Sequence, residues 1–307
     1  MSTLIIDSAS DRTILGLFTE EPGTSALTVL KGARDHASRI LPAIDVLLRS
    51  YDLTPAKLEK IVVGVGPGSY TGTRIAISVA QGLAFAKTTP IAPIDSIELY
   101  AYLVSAYLDE CSKLGEHPDY RSEHLQTIHI WAFIDARMGQ YYLGKLELDH
   151  RTTANWKCTL NDKDQTVSYF SEAASQIQTA SQASAASHST RHSCGILFDS
   201  SKTLDSLTAH SASGSDAASA IRDANGICTL DQVLGALESH TYSVAKTTNL
   251  DADSAAFILK PHRTLHQAFH NTVIHRLSEL ALLPASDIEA SYLRQSIGWD
   301  KRTRIRA

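Results

Sequence analysis

A buried strand that ends in a glycine turn is the feature that most constrains this chain. Residues 61–65 (Ile-Val-Val-Gly-Val) form a continuous apolar run, which is typical of a strand covered on both faces of a sheet. The Gly-Pro-Gly-Ser sequence at residues 66–69 cannot continue that strand and predicts a turn. A helix is expected next, from about residue 71 to residue 87. A strand, a turn and a helix in this order favour an α/β fold.

Two hairpins are predicted, one at the start of the chain and one near its middle. Residues 4–6 and 14–18 are apolar and are separated by polar or small residues, which is a β-hairpin pattern. Residues 128–134 and 140–146 repeat this pattern around a tight turn at residues 135–139. Two lobes that each begin with a hairpin would explain the repetition.

The segment between the first hairpin and the glycine turn is expected to be helical. Apolar residues recur there with helical spacing, at positions 40, 41, 44, 47 and 48. Ser38 is a candidate N-cap, and Pro42 is tolerated if it falls in the first turn. Thr54 and Pro55 predict a second, short helix with proline at its first position.

Composition indicates a globular protein of about two domains. The chain has 307 residues, of which 43% are apolar and 20% charged, and its net charge of -5 argues against a stand-alone nucleic-acid binder. The cysteines at positions 111, 158, 194 and 228 lie too far apart for a zinc ribbon or a C-x-x-C redox pair. Asp7 comes too early for a signal peptide, and no apolar run approaches the roughly 20 residues of a membrane helix. We therefore expect a cytoplasmic protein that does not associate with membranes.

A stretch rich in serine and alanine interrupts the second half of the chain. These two residue types supply half of residues 171–220, and an insertion is predicted at about 160–220. Residues 194–198 within it resemble a core strand. Order is expected to return in an amphipathic helix that runs through residues 265–280.

The histidines and the basic tail near the C-terminus are expected to be solvated. His262, His266 and His270 have the i, i+4 spacing of a metal site, but they lie beside the apolar stripe of the last helix. This placement favours an exposed polar face over a metal site. The basic tail at residues 301–306 could touch RNA only with the help of a second protein, because the rest of the chain is acidic.

The glycine turn has two readings. A helix N-terminus after a glycine-rich turn can bind an anion through its free N–H groups. The Lys-Ser/Thr ending of a phosphate-binding P-loop is absent, however, and Pro67 removes one N–H. The other reading is a strand-to-helix turn whose glycines allow close packing.

The helix after the turn also has two readings. Ala76, Ala80 and Ala84 lie on one face, and small side chains let another element approach closely. Residues 75, 79 and 83 form an adjacent apolar face. A helix that is apolar over so much of its circumference must be covered on more than one side. Either its own domain covers both faces, or one face contacts a partner protein.

Five ordered segments of the chain are similar to those of one known family, the TsaB (YeaZ) family. Its members are bacterial subunits of the machinery that adds threonylcarbamoyl to the adenosine beside the tRNA anticodon. The resemblance covers nearly the whole chain outside residues 150–260. The matching segments are residues 4–9, 34–42, 64–75, 134–139 and 292–294.

The resemblance implies two tandem actin-like or RNase H-like (ASKHA) lobes, residues 1–112 and residues 113–307, the second with the insertion. It implies a non-catalytic scaffold that binds and activates a TsaD-like paralogue together with a TsaE-like ATPase. No cofactor is expected, tRNA is contacted only indirectly, and the chain is expected to dimerise when alone. The expected docking residues are Gly66, Pro67, Gly68, Ser69, Thr71, Arg74, Ile75, Ala76, Val79, Ala80, Leu83 and Ala84.

The expectation of a non-catalytic protein depends on the absence of a pair of metal-binding histidines. TsaD-like proteins have a His-x-x-x-His pair that ligates a metal, and this chain has Ser96 and Tyr100 at the corresponding positions. A hydroxyl and a neutral phenol are poor replacements for two imidazoles. The resemblance therefore implies that the metal has been lost here.

The alternative is an enzyme, an ATP-dependent transferase or kinase that acts through its own interlobe cleft. Asp7 and Asp135 would then lie at the hairpin turns where relatives of this fold hold phosphates and magnesium. They could equally be vestiges of such phosphate turns, and aspartate is common in turns of any kind. No pattern of nucleophile and base suggests a peptidase.

Overall fold

The structure is a computed structural model, and it describes the strands, helices and connections that hold the candidate site. The described residues are 2–19, 26–31, 36–104, 127–137, 140–149, 157–160, 166–169, 192–198, 227–229, 258–259, 273 and 277–291.

Strands and helices are labelled in chain order. The described strands are β1 (Ser2–Asp7), β2 (Arg12–Thr19), β3 (Ala26–Lys31), β4 (Lys60–Gly64), β5 (Ile91–Ile94), β6 (Thr127–Arg137), β7 (Gln140–Asp149), β8 (Lys157–Leu160), β9 (Thr166–Tyr169), β10 (His192–Phe198), β11 (Ile227–Thr229) and β12 (Ile258–Leu259). The described helices are α1 (His36–Arg49), α2 (Tyr70–Phe85) and α3 (residues 96–104), with single 3-10 turns at Pro55–Lys57 and Ala285–Asp287.

The described strands form two mixed sheets. In the first, the strand order is β12-β3-β2-β1-β4-β5. The β1–β2 and β2–β3 pairs are antiparallel, and the β1–β4 and β4–β5 pairs are parallel. In the second, the order is β11-β10-β6-β7-β8, and β9 also pairs with β7. Here β6 is antiparallel to β7 and parallel to β10. Both predicted hairpins are therefore confirmed, and each opens a sheet with the same sequence of strand directions.

The first sheet is buried along its central strands. Every residue of β1 and of β4 is buried, which confirms that the apolar run at residues 61–65 is a strand covered on both faces. Both α1 and α2 contribute to the same apolar core as these strands. The core residues of α1 lie on one side of the helix, at positions 40, 43, 44, 47 and 48.

The start of α1 differs from the prediction. The helix begins at His36, so Ser38 is its third residue rather than its N-cap, and Pro42 is its seventh. Both Ser38 and Pro42 are exposed. An exposed position lets the proline ring lie on the solvent side, where the helix need not pack against the sheet. The short helix at Thr54 and Pro55 is confirmed as a single 3-10 turn.

The C-terminal residues that the structure describes return to the first sheet. Strand β12 pairs with β3, and Leu283 exchanges two backbone hydrogen bonds with Ile91 of β5. The buried Lys60 ammonium donates to the carbonyl of Leu277 at 2.6 Å. Burial lowers the pKa of Lys60. A division at residue 112 therefore does not describe these segments, because hydrogen bonds hold them to the N-terminal sheet.

Other sequence predictions have mixed outcomes. The core strand expected at residues 194–198 is confirmed as part of β10. Most of the serine- and alanine-rich insertion, the three histidines, residues 292–294 and the basic tail lie outside the described residues. Within the described residues, no helix has the length and apolar content needed to cross a bilayer.

Candidate functional site

The glycine turn is shaped by contact with the end of the first hairpin. A Cβ atom at Gly64 would lie 1.8 Å from Asp7 Oδ2, and one at Gly68 would lie 2.3 Å from the Ala9 carbonyl oxygen. Gly66 has a φ of +98°, a backbone conformation that side chains other than glycine rarely adopt. The glycines therefore allow two backbone segments to touch, which confirms the packing reading of this turn.

Two N–H groups of the turn donate hydrogen bonds within the chain. The Gly66 N–H donates to Ser96 Oγ at 3.1 Å, and the Ser69 N–H donates to the Ala9 carbonyl at 2.6 Å. Ser69 is the N-cap of α2, and its hydroxyl oxygen accepts from the Gly72 N–H at 3.2 Å. These donors are satisfied by the protein itself, so the turn does not present them as a phosphate cradle.

The Asp7 carboxylate is the buried centre of this region. It ends β1 and is fully buried, and both of its oxygens accept hydrogen bonds. Oδ1 accepts from Tyr100 Oη at 2.8 Å and from the Ala9 N–H at 3.1 Å, and Oδ2 accepts from Ser96 Oγ at 2.5 Å. Burial raises the pKa of Asp7, and the three hydrogen bonds oppose that rise.

Helix α3 brings the two hydroxyls to the carboxylate. Asp95 caps α3, because its Oδ1 accepts from the N–H groups of Ile97 and Glu98. Ser96 and Tyr100 are four residues apart, so they lie on the same side of the helix. Both side chains are buried. The positions that the resemblance compares with a metal pair thus hold a carboxylate through two O–H groups.

Neither of the two aspartates predicted at phosphate-binding turns lies in an accessible turn of the structure. Asp7 is fully buried, and both of its oxygens accept hydrogen bonds from groups of the chain itself. Asp135 lies inside β6 opposite Tyr141, not in the connecting turn, because the strand continues to Arg137. Among the residues whose side chains are described, no group of three His, Cys, Asp or Glu could hold a metal ion.

The alanine face of α2 points into the protein. Ala76, Ala80 and Ala84 are between 0% and 1% exposed and belong to the core under the first sheet. The prediction that they contact a partner is therefore wrong for this fold. Small side chains on this inner face let α2 approach β4 closely, which is why they are alanines.

A second face of α2 is open to solvent, and we call it the outer face. Two of its aromatic residues are conspicuously accessible, since Phe85 is 87% exposed and Tyr70 is 50% exposed. Arg74 stacks on the Tyr70 ring, with its guanidinium carbon 3.9 Å from the ring centroid. The outer face consists of the exposed residues Tyr70, Thr71, Arg74, Ser78, Gly82 and Phe85.

The predicted docking residues are thus divided by the structure. Thr71 and Arg74 are exposed, whereas Gly66 and Pro67 are buried with the alanines. The partly exposed members are Gly68, Ser69, Ile75, Val79 and Leu83.

One flank of α2 is already covered by the C-terminal segment. The Gln81 side-chain amide donates to the carbonyls of Ala285 and Ile288, at 2.8 and 3.4 Å. Ile288 is buried in the core shared with α2. A partner that binds α2 therefore has access to the outer face but not to this flank.

Sequence reasoning missed two structural features of this region. It did not include Tyr70 and Phe85 in the docking surface, although residues 70, 74, 78 and 82 recur every four positions as one helical face. It also did not pair Asp7 with Ser96 and Tyr100. The available signal was a serine and a tyrosine one helical turn apart beside apolar residues, since buried hydroxyls need hydrogen-bond partners.

Comparison with known proteins gives a consistent family. Residues 30–228 match the family model described as "TsaD: tRNA N6-adenosine threonylcarbamoyltransferase". The tRNA threonylcarbamoyladenosine biosynthesis protein TsaB of Bacillus subtilis is 30% identical over 182 residues, covering 55% of this chain and 70% of that protein. The TsaB protein of Haemophilus influenzae is 31% identical over 143 residues, covering 44% of this chain and 53% of that protein.

A solved structure supports the fold. A crystal structure from Pseudomonas aeruginosa, of an uncharacterised protein with similarity to peptidase YEAZ, superposes with a TM-score of 0.54. The match covers 95% of this chain and 99% of that one at 17% identity. Similarity at that identity concerns the fold alone.

Proposed function

The chain belongs to the TsaB (YeaZ) family of tRNA threonylcarbamoyladenosine biosynthesis proteins, and we propose that it is the non-catalytic scaffold of that pathway. In this role it binds and activates a TsaD-type threonylcarbamoyltransferase and works alongside a TsaE-type ATPase. The outer face of α2 is the surface that binds the TsaD-type partner.

The exposed aromatic residue at the end of α2 is the observation that carries this proposal. Phe85 is 87% exposed on a helix whose other side is fully packed. Aromatic residues and arginine are enriched at protein interfaces and often contribute most of the binding energy. Tyr70 and Arg74 supply both types at the opposite end of the same face.

The occupied carboxylate supports the non-catalytic part of the proposal. Asp7 is fully buried and accepts hydrogen bonds from Ser96 and Tyr100, so its carboxyl group is not exposed to magnesium or to a phosphate-bound water. The two hydroxyls also occupy the positions at which TsaD-like proteins carry their metal histidines. Under this proposal, the TsaD-type partner carries out the acyl transfer.

The proposal extends to assembly and architecture. The two sheets have the same order of strand directions, which supports two tandem ASKHA lobes, with the boundary near residue 112 and the C-terminal segments returning to the first. Without its partner, the chain pairs with a second copy through the outer face, in an isologous dimer. The chain acts in the cytoplasm and contacts tRNA only through its partners.

A charge on the outer face tests the proposal. Phe85→Asp should weaken binding to the purified TsaD-type paralogue of the same genome by at least about tenfold, because a desolvated carboxylate replaces an apolar anchor. Isothermal titration calorimetry gives the affinity. Leu41→Asp, at an exposed leucine of α1 that is 51% exposed, is the matched control. Equal affinities of Phe85→Asp and the unchanged chain would contradict the proposed surface.

A further inference from the structure

The two ends of the glycine turn are tied to one carboxylate. Ser96 Oγ donates to Asp7 Oδ2 at 2.5 Å and accepts from the Gly66 N–H at 3.1 Å. The Ser96 N–H in turn donates to the Gly66 carbonyl at 2.8 Å. Ser96 therefore fixes the start of the turn, and Asp7 fixes the hydroxyl of Ser96.

The same carboxylate also fixes the end of the turn, through Ala9. Asp7 Oδ1 accepts from the Ala9 N–H at 3.1 Å, and the Ala9 carbonyl accepts from the Ser69 N–H at 2.6 Å. Ser69 is the N-cap of α2. The position of the first turn of α2 is thus determined from both sides by one buried group.

Tyr100 completes the arrangement. Its Oη donates to Asp7 Oδ1 at 2.8 Å across 93 residues of sequence, and its side chain is 1% exposed. Hydrogen bonds in a buried site of low dielectric are stronger than those at the surface. Without this donor, the Asp7 side chain would be held less firmly in the orientation in which it accepts hydrogen bonds from Ala9 and Ser96.

We propose that Asp7, held by Ser96 and Tyr100, is a positioning centre that sets the orientation of the first turn of α2 and so the affinity of the outer face for its partner. This inference rests on the proposed docking function. Tyr70 and Arg74 lie in that first turn or directly after it. Their orientation follows the N-cap, because a helix end moves as a unit with its first residues.

The test compares two tyrosines of the same helix. Tyr100→Phe removes the hydrogen bond to Asp7, and Tyr102→Phe removes a similar buried bond, from its hydroxyl to Glu98 Oε1 at 3.1 Å. Only the first bond leads to the glycine turn. Ser96→Ala is a second variant that breaks the link to Gly66 directly.

Two measurements are made on the full chain, at a temperature at which all variants are folded. Calorimetry gives the affinity for the TsaD-type paralogue, and hydrogen exchange with mass spectrometry gives the exchange rate of the backbone amides within residues 66–73. We expect Tyr100→Phe and Ser96→Ala to weaken affinity about tenfold and to speed exchange about tenfold, the effect of losing one buried hydrogen bond. Tyr102→Phe should change neither by more than about twofold.

The two measurements separate this inference from the proposed function. Similar results for Tyr100→Phe and Tyr102→Phe would overturn the positioning role, even if Phe85→Asp abolishes binding. Unchanged exchange at residues 66–73 in Ser96→Ala would overturn it too. If the unaltered chain does not bind the paralogue, the proposed function fails and the inference about affinity fails with it.

Discussion

The inner face of α2 is lined by small apolar residues, whereas the outer face combines polar residues with two large aromatic ones, and the structure gives the two faces different surroundings. Ala76, Ala80 and Ala84 are small, and they are buried against the protein's own sheet. Tyr70 and Phe85 are large, and solvent covers much of their surface. A stripe of small residues therefore indicates close packing without indicating what is packed. A large exposed aromatic residue is the better sign of an interface.

The largest effect is expected from a charge on the inner face. Ala80→Arg should lower the free energy of unfolding by more than about 4 kcal/mol, because a buried, unpaired cation is forced into a filled core. Chemical denaturation followed by circular dichroism measures this. A folded variant that has lost only partner binding would show that the alanines, rather than the outer face, contact the partner.

A methyl group at the start of α2 should have the next largest effect. A Cβ atom at Gly72 would lie 2.0 Å from the Ser8 carbonyl oxygen, which is backbone and cannot move aside easily. Gly72→Ala should therefore destabilise the protein by about 1–3 kcal/mol, the usual cost of overpacking. Urea denaturation gives the value, and a stability equal to that of the unchanged chain would mean that α2 does not touch the first hairpin.

A glycine-to-alanine substitution on the outer face should change stability in the opposite direction. Gly82 is exposed within α2, and a Cβ atom there would meet nothing within 4 Å. Gly82→Ala should stabilise the protein by about 0.5–1 kcal/mol, since alanine is the better helix former. Together with Gly72→Ala it forms a matched pair under identical denaturation conditions. Destabilisation by Gly82→Ala would show that the outer face is already covered within the monomer.

Much of the first sheet could be predicted from the sequence, because local patterns determine it. The continuous apolar run of β4 and the polar stretch between β1 and β2 are sufficient to place a strand and a hairpin. The glycine turn was also predictable, since residues 66–69 favour neither strand nor helix. The start of α1 was not, because Ser38 has the features of an N-cap but lies inside the helix.

The buried centre of the candidate site could not be predicted in the same way. Asp7 and Tyr100 are separated by 93 residues, and only the arrangement of β1 beside α3 brings them together. The sequence also could not show which face of α2 packs against the sheet. Alanine and the neighbouring aliphatic residues at positions 75, 79 and 83 are all compatible with burial, so spacing alone does not tell which face meets the sheet.

The pair of backbone hydrogen bonds between Leu283 and Ile91 has a consequence for solubility. Among the described strands, β5 is the outermost on its side of the first sheet, and an unpaired outermost strand can recruit strands from other molecules. The C-terminal segment binds Ile91 through two hydrogen bonds and blocks that position. Shortening the chain before residue 281 would therefore expose the backbone groups of Ile91, and we expect the shortened chain to be more prone to intermolecular β-pairing.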